Sequence, residues 1–189
     1  MSLTPIIPPI VVVMGVCGCG KSLVGRILAE RLGCRFVEGD EHHPPANITR
    51  MAAGTPLTDE DRAGWLATLA RFITAADRSG EGLVLSCSAL KRMYRDQLRG
   101  VSRRVAFLHL HGDKALIGER MKARSAHFMP TSLIDSQFAA LETPGPDEAA
   151  WTADVAHPPD AIVTDFLDRL PGLLPAALPT APTRAEDPA

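Results

Sequence analysis

The sequence predicts an α/β fold, a three-layer sandwich in which a central parallel sheet lies between two layers of helices. Three observations carry this expectation. Apolar bursts alternate with amphipathic stretches, the bursts are continuous rather than polar-interrupted, and a glycine-rich turn joins the first burst to the first amphipathic stretch. Continuous apolar runs suit strands buried on both faces, as a parallel sheet covered by helices requires.

The strands are expected, in order, at Ile10–Met14 (IVVVM), Arg35–Val37, Leu83–Cys87 (LVLSC), Val105–Leu110 (VAFLHL) and Ala153–Val155. Between them, Val24, Ile27, Leu28 and Leu32 fall on one face of a helix starting near Lys21. Trp65, Leu66, Leu69, Phe72 and Ile73 do the same for a second helix, which places Trp65 in the core. Thr58, followed three residues later by Asp61, has capping-box spacing for that helix, and Asp59, Glu60 and Asp61 suit its positive end. Leu116, Ile117, Arg120 and Met121 mark a third helix and Leu133–Leu141 a fourth. Residues 1–9 read as a proline-broken lead-in and residues 10–170 as one domain. Residues 171–189 form a Pro- and Ala-rich tail expected to lack order, because repeated prolines remove backbone donors.

A chain of 189 residues is long enough for one good core and short for two. With 46% hydrophobic and 22% charged residues, it has the balance of an ordinary globular protein. A net charge of −2 argues against nucleic acid as the main partner, so an anionic ligand must be met by local cations. Cys17, Cys19, Cys34 and Cys87 form no C-x-x-C pair and no Cys/His cluster at zinc spacing, which fits reduced thiols in the cytosol. Pro5, Pro8 and Pro9 break the first apolar stretch and no Lys or Arg precedes it, which argues against a signal peptide. No apolar run has the length of a membrane span.

The turn itself, GVCGCGKS from Gly15 to Ser22, matches the phosphate-binding pattern G-x-x-x-x-G-K-[ST] in full, and it sits between a buried strand and a helix. This is the P-loop of a P-loop NTPase. Backbone N–H groups of Gly15, Val16, Cys17, Gly18, Cys19 and Gly20, with the helix N-terminus, are expected to cradle the phosphates of ATP. Lys21 is expected to reach the β- and γ-phosphates and the Ser22 hydroxyl to ligate Mg²⁺. A metal site at Cys17 and Cys19 would need at least two more ligands, and none is near in sequence. The positive field of the loop and of Lys21 predicts a lowered thiol pKa, and with it sensitivity to oxidants and alkylators that ATP would relieve.

Beyond the loop, Glu38 and Asp40 fall at the C-terminal end of the second strand, where open α/β sheets bind ligands. A carboxylate there can orient Mg²⁺, in the case of Glu38 through water, or accept a proton from an attacking hydroxyl. An ordinary acidic loop is the competing reading. His43 suits a hydrogen bond to substrate or backbone, and Arg62 can clamp a carboxylate with two bonds or form a surface ion pair. Lys91 and Arg95, four apart, put two cations on one helical face, which is either a binding feature or a solvated basic face. Ser88 and Lys91 follow a buried strand and so lie at the ligand edge of the sheet. The absence of Asn-Lys-x-Asp argues against a GTPase.

These motifs together resemble those of the gluconokinases. The resemblance runs through Gly15–Ser22, EGD-x-x-HP (Glu38–Pro44), N-I-x-x-M-x-x-G-x-PL (Asn47–Leu57) and D-x-DR-x-x-WL (Asp59–Leu66). It continues through CSALKRMYRDQLR (Cys87–Arg99) and KARSAHFMPTSLIDSQFAALETP (Lys122–Pro144), and it covers roughly residues 10–168. It implies a nucleoside-monophosphate-kinase-like fold with a helical lid near residues 120–140. It also implies a cytosolic enzyme that phosphorylates D-gluconate to 6-phosphogluconate with ATP. On this likeness Gly15–Ser22 hold ATP and Mg²⁺, and Asp40 is the base at the gluconate hydroxyl. His43, Arg62, Lys91 and Arg95 surround the sugar acid or the transferring phosphoryl group, and Arg120, Arg124 and His127 belong to the lid. Four positions depart from the family pattern. Cys17 and Cys19 replace the usual serines, Arg50 stands where Lys is common, and Gly64 stands where Pro often precedes the Trp. The rivals are another small-molecule kinase of the same fold, shikimate- or nucleotide-kinase-like, and a nucleotide sensor without turnover. The resemblance also allows a homodimer, although no stretch of sequence marks an interface.

Overall fold

Ile10–Met14 form strand β1, and all five side chains are fully buried. In this computed structural model, which describes residues 8–122 and 132–174, β1 is the centre of a five-stranded parallel sheet. The other strands are β2 (Arg35–Glu38), β3 (Leu83–Ser86), β4 (Val105–His111) and β5 (Ala150–Asp154), in the spatial order β2-β3-β1-β4-β5. The helices are α1 (Lys21–Leu32), α2 (Pro45–Ala52), α3 (Asp59–Ser79), α4 (Arg92–Arg99), α5 (Lys114–Lys122), α6 (Ser132–Ala140) and α7 (Pro159–Leu173), with a short 3-10 turn at Gly39–His42.

Strand alternation divides the core in two. Val11 and Val13 pack on one face with Val24 and Leu28 of α1 and Ile162 and Phe166 of α7. Ile10, Val12 and Met14 pack on the other with Trp65, Leu69 and Ile73 of α3 and Tyr94 and Leu98 of α4. The second helix starts as its sequence predicts. The Thr58 hydroxyl accepts the Asp61 N–H at 3.2 Å and the Asp61 carboxylate accepts the Thr58 N–H at 2.8 Å. Among the described residues, no helix is long and apolar enough to cross a membrane.

Two helices and one boundary differ from expectation. α2 begins at Pro45, directly behind Pro44, where the prolines mask a helix start that they in fact favour, since an N1 proline gives up a donor that is orphaned anyway. α7 spans a stretch where no helix was expected, and it runs through Pro171 into the expected tail. Leu170 is buried, and Leu167, Leu173 and Leu174 pack against the same core, so apolar burial outweighs the hydrogen bond that Pro171 removes. The rest of the tail, residues 175–189, and residues 1–7 of the lead-in lie outside the described residues. β5 begins at Ala150, three residues before the expected start at Ala153.

Arg95 is the largest correction. Its side chain is 1% exposed and reaches neither solvent nor ligand. Nε and Nη2 donate to Glu148 at 2.5 and 2.9 Å, and Nη1 donates to the carbonyls of Ala89, Leu90 and Glu142 at 3.2, 3.2 and 2.9 Å. The guanidinium thus fastens the 142–148 segment to the turn after β3, where Ala89 is held at a left-handed φ of 42°. The i, i+4 spacing with Lys91 does not put the two cations on one helical face, because Lys91 is the extended residue before α4 and α4 turns Arg95 inward.

Two outcomes follow for stability. Arg95→Met strands Glu148 as a buried, unpaired carboxylate, which costs about 3–5 kcal/mol and should lower the Tm by roughly 10 °C, read by calorimetry. The second concerns His109 of β4, which shares a 3.1 Å hydrogen bond with Thr152 and whose Nε2 meets no partner among the described residues. Burial first, then the charges of His111 and Arg95, push its pKa from 6.5 down to about 4. Between those values the unfolded chain binds a proton that the fold refuses, so stability is full above about pH 6.5 and declines as pH falls towards 4. Thermal melts from pH 8 to 4 should show this decline, and His109→Asn, which keeps an amide for Thr152, should lessen it.

Candidate active site

The chain leaves β1 at Met14 and reaches α1 at Lys21 through Gly15–Gly20. Gly18 adopts φ 82°, and a Cβ there would lie 2.4 Å from Cγ of Met121, so a side chain would both strain the loop and crowd the Met121 side chain of α5. Lys21 is 8% exposed, and its Nζ donates to the Val16 carbonyl at 3.0 Å, curling the side chain over its own loop. Burial pulls the Lys21 pKa down, but Cys19, Asp40, Cys17 and Glu38 together more than offset it, so the ammonium stays charged. The Lys21 ammonium and the Ser22 and Asp40 side chains share a small cavity with Cys17, Gly18 and Gly20, which suits a phosphate chain.

Of the two loop thiols, Cys19 behaves opposite to expectation. Both are buried, and burial raises the Cys19 pKa by more than the Lys21 charge lowers it. The Cys17 side chain packs with Met121 and Ile134. The Gly15 N–H donates to the Ser88 carbonyl at 3.3 Å and the Cys19 N–H to the Val16 carbonyl at 3.4 Å. These two donors, expected in the phosphate cradle, are thus engaged by the protein itself, and the positive field does not yield a thiolate at Cys19.

The next elements are set by one crossing. Gly39, just past β2, runs so close to β3 that a Cβ would sit 2.0 Å from the Ser86 carbonyl oxygen. Its N–H donates to Ser86 Oγ at 3.1 Å, and its carbonyl accepts the Trp65 indole N–H at 2.8 Å. The Ser86 hydroxyl in turn donates to the Glu38 carboxylate. Glu38 is therefore held against the sheet, and Asp40 is carried to the edge facing the loop. The Trp65 ring stacks on His43 at 4.1 Å between centroids, and Asn47 Nδ2 lies 3.5 Å from His43 Nδ1. Burial, and next the Arg62 charge, lower the His43 pKa to about 4, so the ring is neutral at physiological pH.

Two chambers open beside the phosphate cavity. The inner one brings together Lys21, Asp40, His43, Arg62 and Ser88, five of the residues singled out in the sequence. The outer one, of about 370 Å³, adjoins it through Leu57, Arg62 and Gln137 and extends to Asp59, Lys91 and Tyr94. Lys91 Nζ donates to both Asp59 oxygens at 2.7 and 2.8 Å, and the Tyr94 hydroxyl donates to Asp59 Oδ1 at 2.5 Å. These bonds, Lys91 first, hold the Asp59 carboxyl below its usual range, while burial and then Asp59 raise Tyr94. Asp59 thus neutralises Lys91 more than it serves the start of α3, where Asp61 does the capping. Arg62 lies over the Tyr94 ring at 6.0 Å.

Arg95 reaches neither chamber. Arg120, expected among lid arginines on the phosphates, donates from Nη2 to the Val155 carbonyl at 2.9 Å. It walls a further cavity of about 400 Å³, bounded by Gly18–Gly20, His157 and Pro159. Arg124 and His127 lie outside the described residues. Four residues of the site had carried no prediction of their own: Asn47, Ser86, Tyr94 and Gln137. A serine closing an apolar strand was a visible signal for Ser86, and Tyr94 stands three residues after Lys91. Gln137, whose Oε1 accepts the Cys17 N–H at 2.7 Å, had none, because its partner is 120 residues away.

Among the described residues no group of three or more His, Cys, Asp or Glu could hold a metal ion. The hard oxygen of Ser22 at the phosphate cavity suits Mg²⁺, provided phosphate and water complete its shell.

A family model described as an AAA domain matches residues 10–144. A gluconokinase of Gluconobacter oxydans is 46% identical over 160 residues, covering 85% of this chain and 90% of that protein. The crystal structure of a gluconokinase from Sinorhizobium meliloti superposes with a TM-score of 0.80 at 46% identity, over 89% of this chain and 94% of its own. An unliganded sugar kinase from Janibacter gives 0.82 at 43% identity, over 89% and 99%. With this identity spread over nearly the whole of its relatives and with the P-loop and acceptor-side motifs in place, the chain belongs to the gluconokinase family.

Proposed function

We propose that the chain transfers the γ-phosphoryl group of ATP to the 6-hydroxyl of D-gluconate, giving ADP and 6-phosphogluconate. The observation that carries this reading is the shared wall of two cavities. Cys17, Lys21 and Asp40 line both the phosphate cavity and the inner chamber, so a hydroxyl in one lies next to a phosphate in the other.

In this mechanism the N–H groups that open α1 and Lys21 hold the β- and γ-phosphates, and Ser22 would hold Mg²⁺ together with phosphate and water oxygens. The ion, when bound, neutralises charge on the phosphate oxygens. Glu38, fixed by Ser86, acts on it at most through water. Asp40 accepts the proton of the attacking hydroxyl as the new P–O bond forms and the bond to the β-phosphate oxygen breaks. His43 is neutral and so orients the substrate by hydrogen bonding, without adding charge. Ser88 contributes a hydroxyl to the same chamber. The sugar-acid carboxylate lies towards the outer chamber, where Arg62 offers a two-pronged donor and Lys91 a second cation shared with Asp59. The nucleotide base takes the cavity beside Gly18–Gly20, under Arg120 and His157. Such an enzyme works in the cytosol, where Mg-ATP is supplied.

ADP release with Mg-ATP, measured across gluconate, shikimate, other sugar acids and nucleoside monophosphates, should be driven by gluconate. No gluconate-dependent turnover at millimolar substrate would overturn the assignment. Asp40→Asn should bind nucleotide as the parent does and lose about 10²- to 10⁴-fold in kcat. Arg62→Leu removes a charged hydrogen-bonding pair of about 1.5–3 kcal/mol. It should raise the gluconate KM by roughly ten- to a hundredfold with a smaller change in kcat, as steady-state kinetics will show.

A further inference from the structure

We propose that Gln137 is a positioning residue that locks the acceptor chamber in register with the phosphate loop. It would thereby set the affinity for the acceptor and the coupling of ATP cleavage to it. The inference rests on the sugar-acid kinase reading above and adds a residue to it.

Gln137 lies on α6, its side chain 8% exposed, and its Oε1 accepts the Cys17 N–H at 2.7 Å. The placement of this bond is specific. Gln137 lines the inner and outer chambers but neither the phosphate cavity nor the cavity beside Gly18–Gly20. Cys17 lines both the inner chamber and the phosphate cavity. The bond therefore sits on the partition between the two reactants. The N–H groups of Lys21, Ser22 and Leu23, which open α1 and have no partner within the helix, are independent of it.

α6 is also the wall that joins the two sides of the acceptor site. Ile134 packs on the Cys17 side chain and Met121, while Leu133 packs on Met51 and Leu57, which flank the chamber opposite the loop. Apolar contacts fix how close α6 lies but say little about how it is turned or slid, because they are non-directional. A buried N–H···O bond supplies that direction. Reacting groups tolerate little misplacement, and an error of about 1 Å can cost a factor of 10². Without the bond, the acceptor hydroxyl loses its alignment while the phosphates keep their grip.

The test compares Gln137→Ala and Gln137→Leu with the parent in three measurements. These are gluconate KM and kcat, phosphorylated product formed per ADP released, and the Kd of a non-hydrolysable ATP analogue without acceptor. The proposal expects gluconate KM to rise at least about tenfold, product per ADP to fall below one as water enters the reaction, and analogue Kd to stay within about twofold of the parent. Gln137→Glu keeps an oxygen for the Cys17 N–H and should recover part of the KM loss.

A tighter analogue Kd with unchanged KM would overturn the proposal, because Gln137 would then compete with phosphate. Loss of analogue binding in both variants would overturn it too, because Gln137 would then be holding the cradle itself. Unchanged values throughout would make it a bystander and also sink the idea. If the parent fails to use gluconate, the substrate assignment falls. The same three measurements, made with whichever acceptor of the panel it does use, then decide the role of Gln137.

Discussion

Asp40 and His43 reach the ligand edge because the chain can cross β3 at Gly39 with no side chain in the way. A methyl group there would meet the Ser86 carbonyl oxygen at 2.0 Å, well inside van der Waals contact, so β2 could not end where it does. The crossing is then pinned from both sides, by Ser86 to the Gly39 N–H and by Trp65 to its carbonyl. Trp65 carries the constraint onward, since its ring is the platform for His43 and its helix presents Arg62 and Asp59. One backbone approach thus sets the positions of a carboxylate, an imidazole and a guanidinium that are far apart in local geometry. The same hydroxyl that fixes Gly39 also restrains Glu38, leaving Asp40 as the carboxylate exposed at this edge.

Charge is handled locally. A protein with net charge −2 must receive a polyphosphate and a sugar acid in adjacent cavities, and it does so with few cations, each given a different counterpart. The buried Lys21 is kept charged by Asp40 and Glu38. Lys91 is half-neutralised by Asp59, whose carboxylate is shared with Tyr94. Arg95, the most buried cation of the region, is fully committed to Glu148 and three carbonyls and serves as architecture. Arginine suits that task because its fork satisfies a carboxylate and several carbonyls at once, which a lysine cannot do.

Local pattern made the phosphate loop, the sheet and the α3 cap readable in the sequence. β1 is five apolar residues in a row, the loop motif fixes spacing and residue type, and Thr58 with Asp61 is a local exchange of hydrogen bonds. What stayed hidden depends on orientation or distance. Spacing suggested one helical face for Lys91 and Arg95, but Lys91 is the extended residue that precedes α4 and faces Asp59, while Arg95 turns inward to Glu148. The thiol chemistry was misjudged because a glycine-rich loop shows no sign in sequence of which way its side chains turn, and burial decides the sign at Cys19. α7 was obscured by Pro171, whose cost is local while the compensating leucine contacts are tertiary. The bond between Gln137 and Cys17 joins residues that no local pattern could relate.

The strand order also bears on how the protein is made. β1 emerges first, yet both of its neighbours, β3 and β4, are encoded some seventy or more residues later. During synthesis, a strand that ends up wholly buried must wait unpaired until β3 emerges, and with one edge open until β4 has left the ribosome. The phosphate loop hanging from its end can take shape only then. The catalytic signature nearest the N-terminus is thus among the last parts of the molecule to be built, and a nascent chain cut short before His109 has no frame on which to hold a nucleotide.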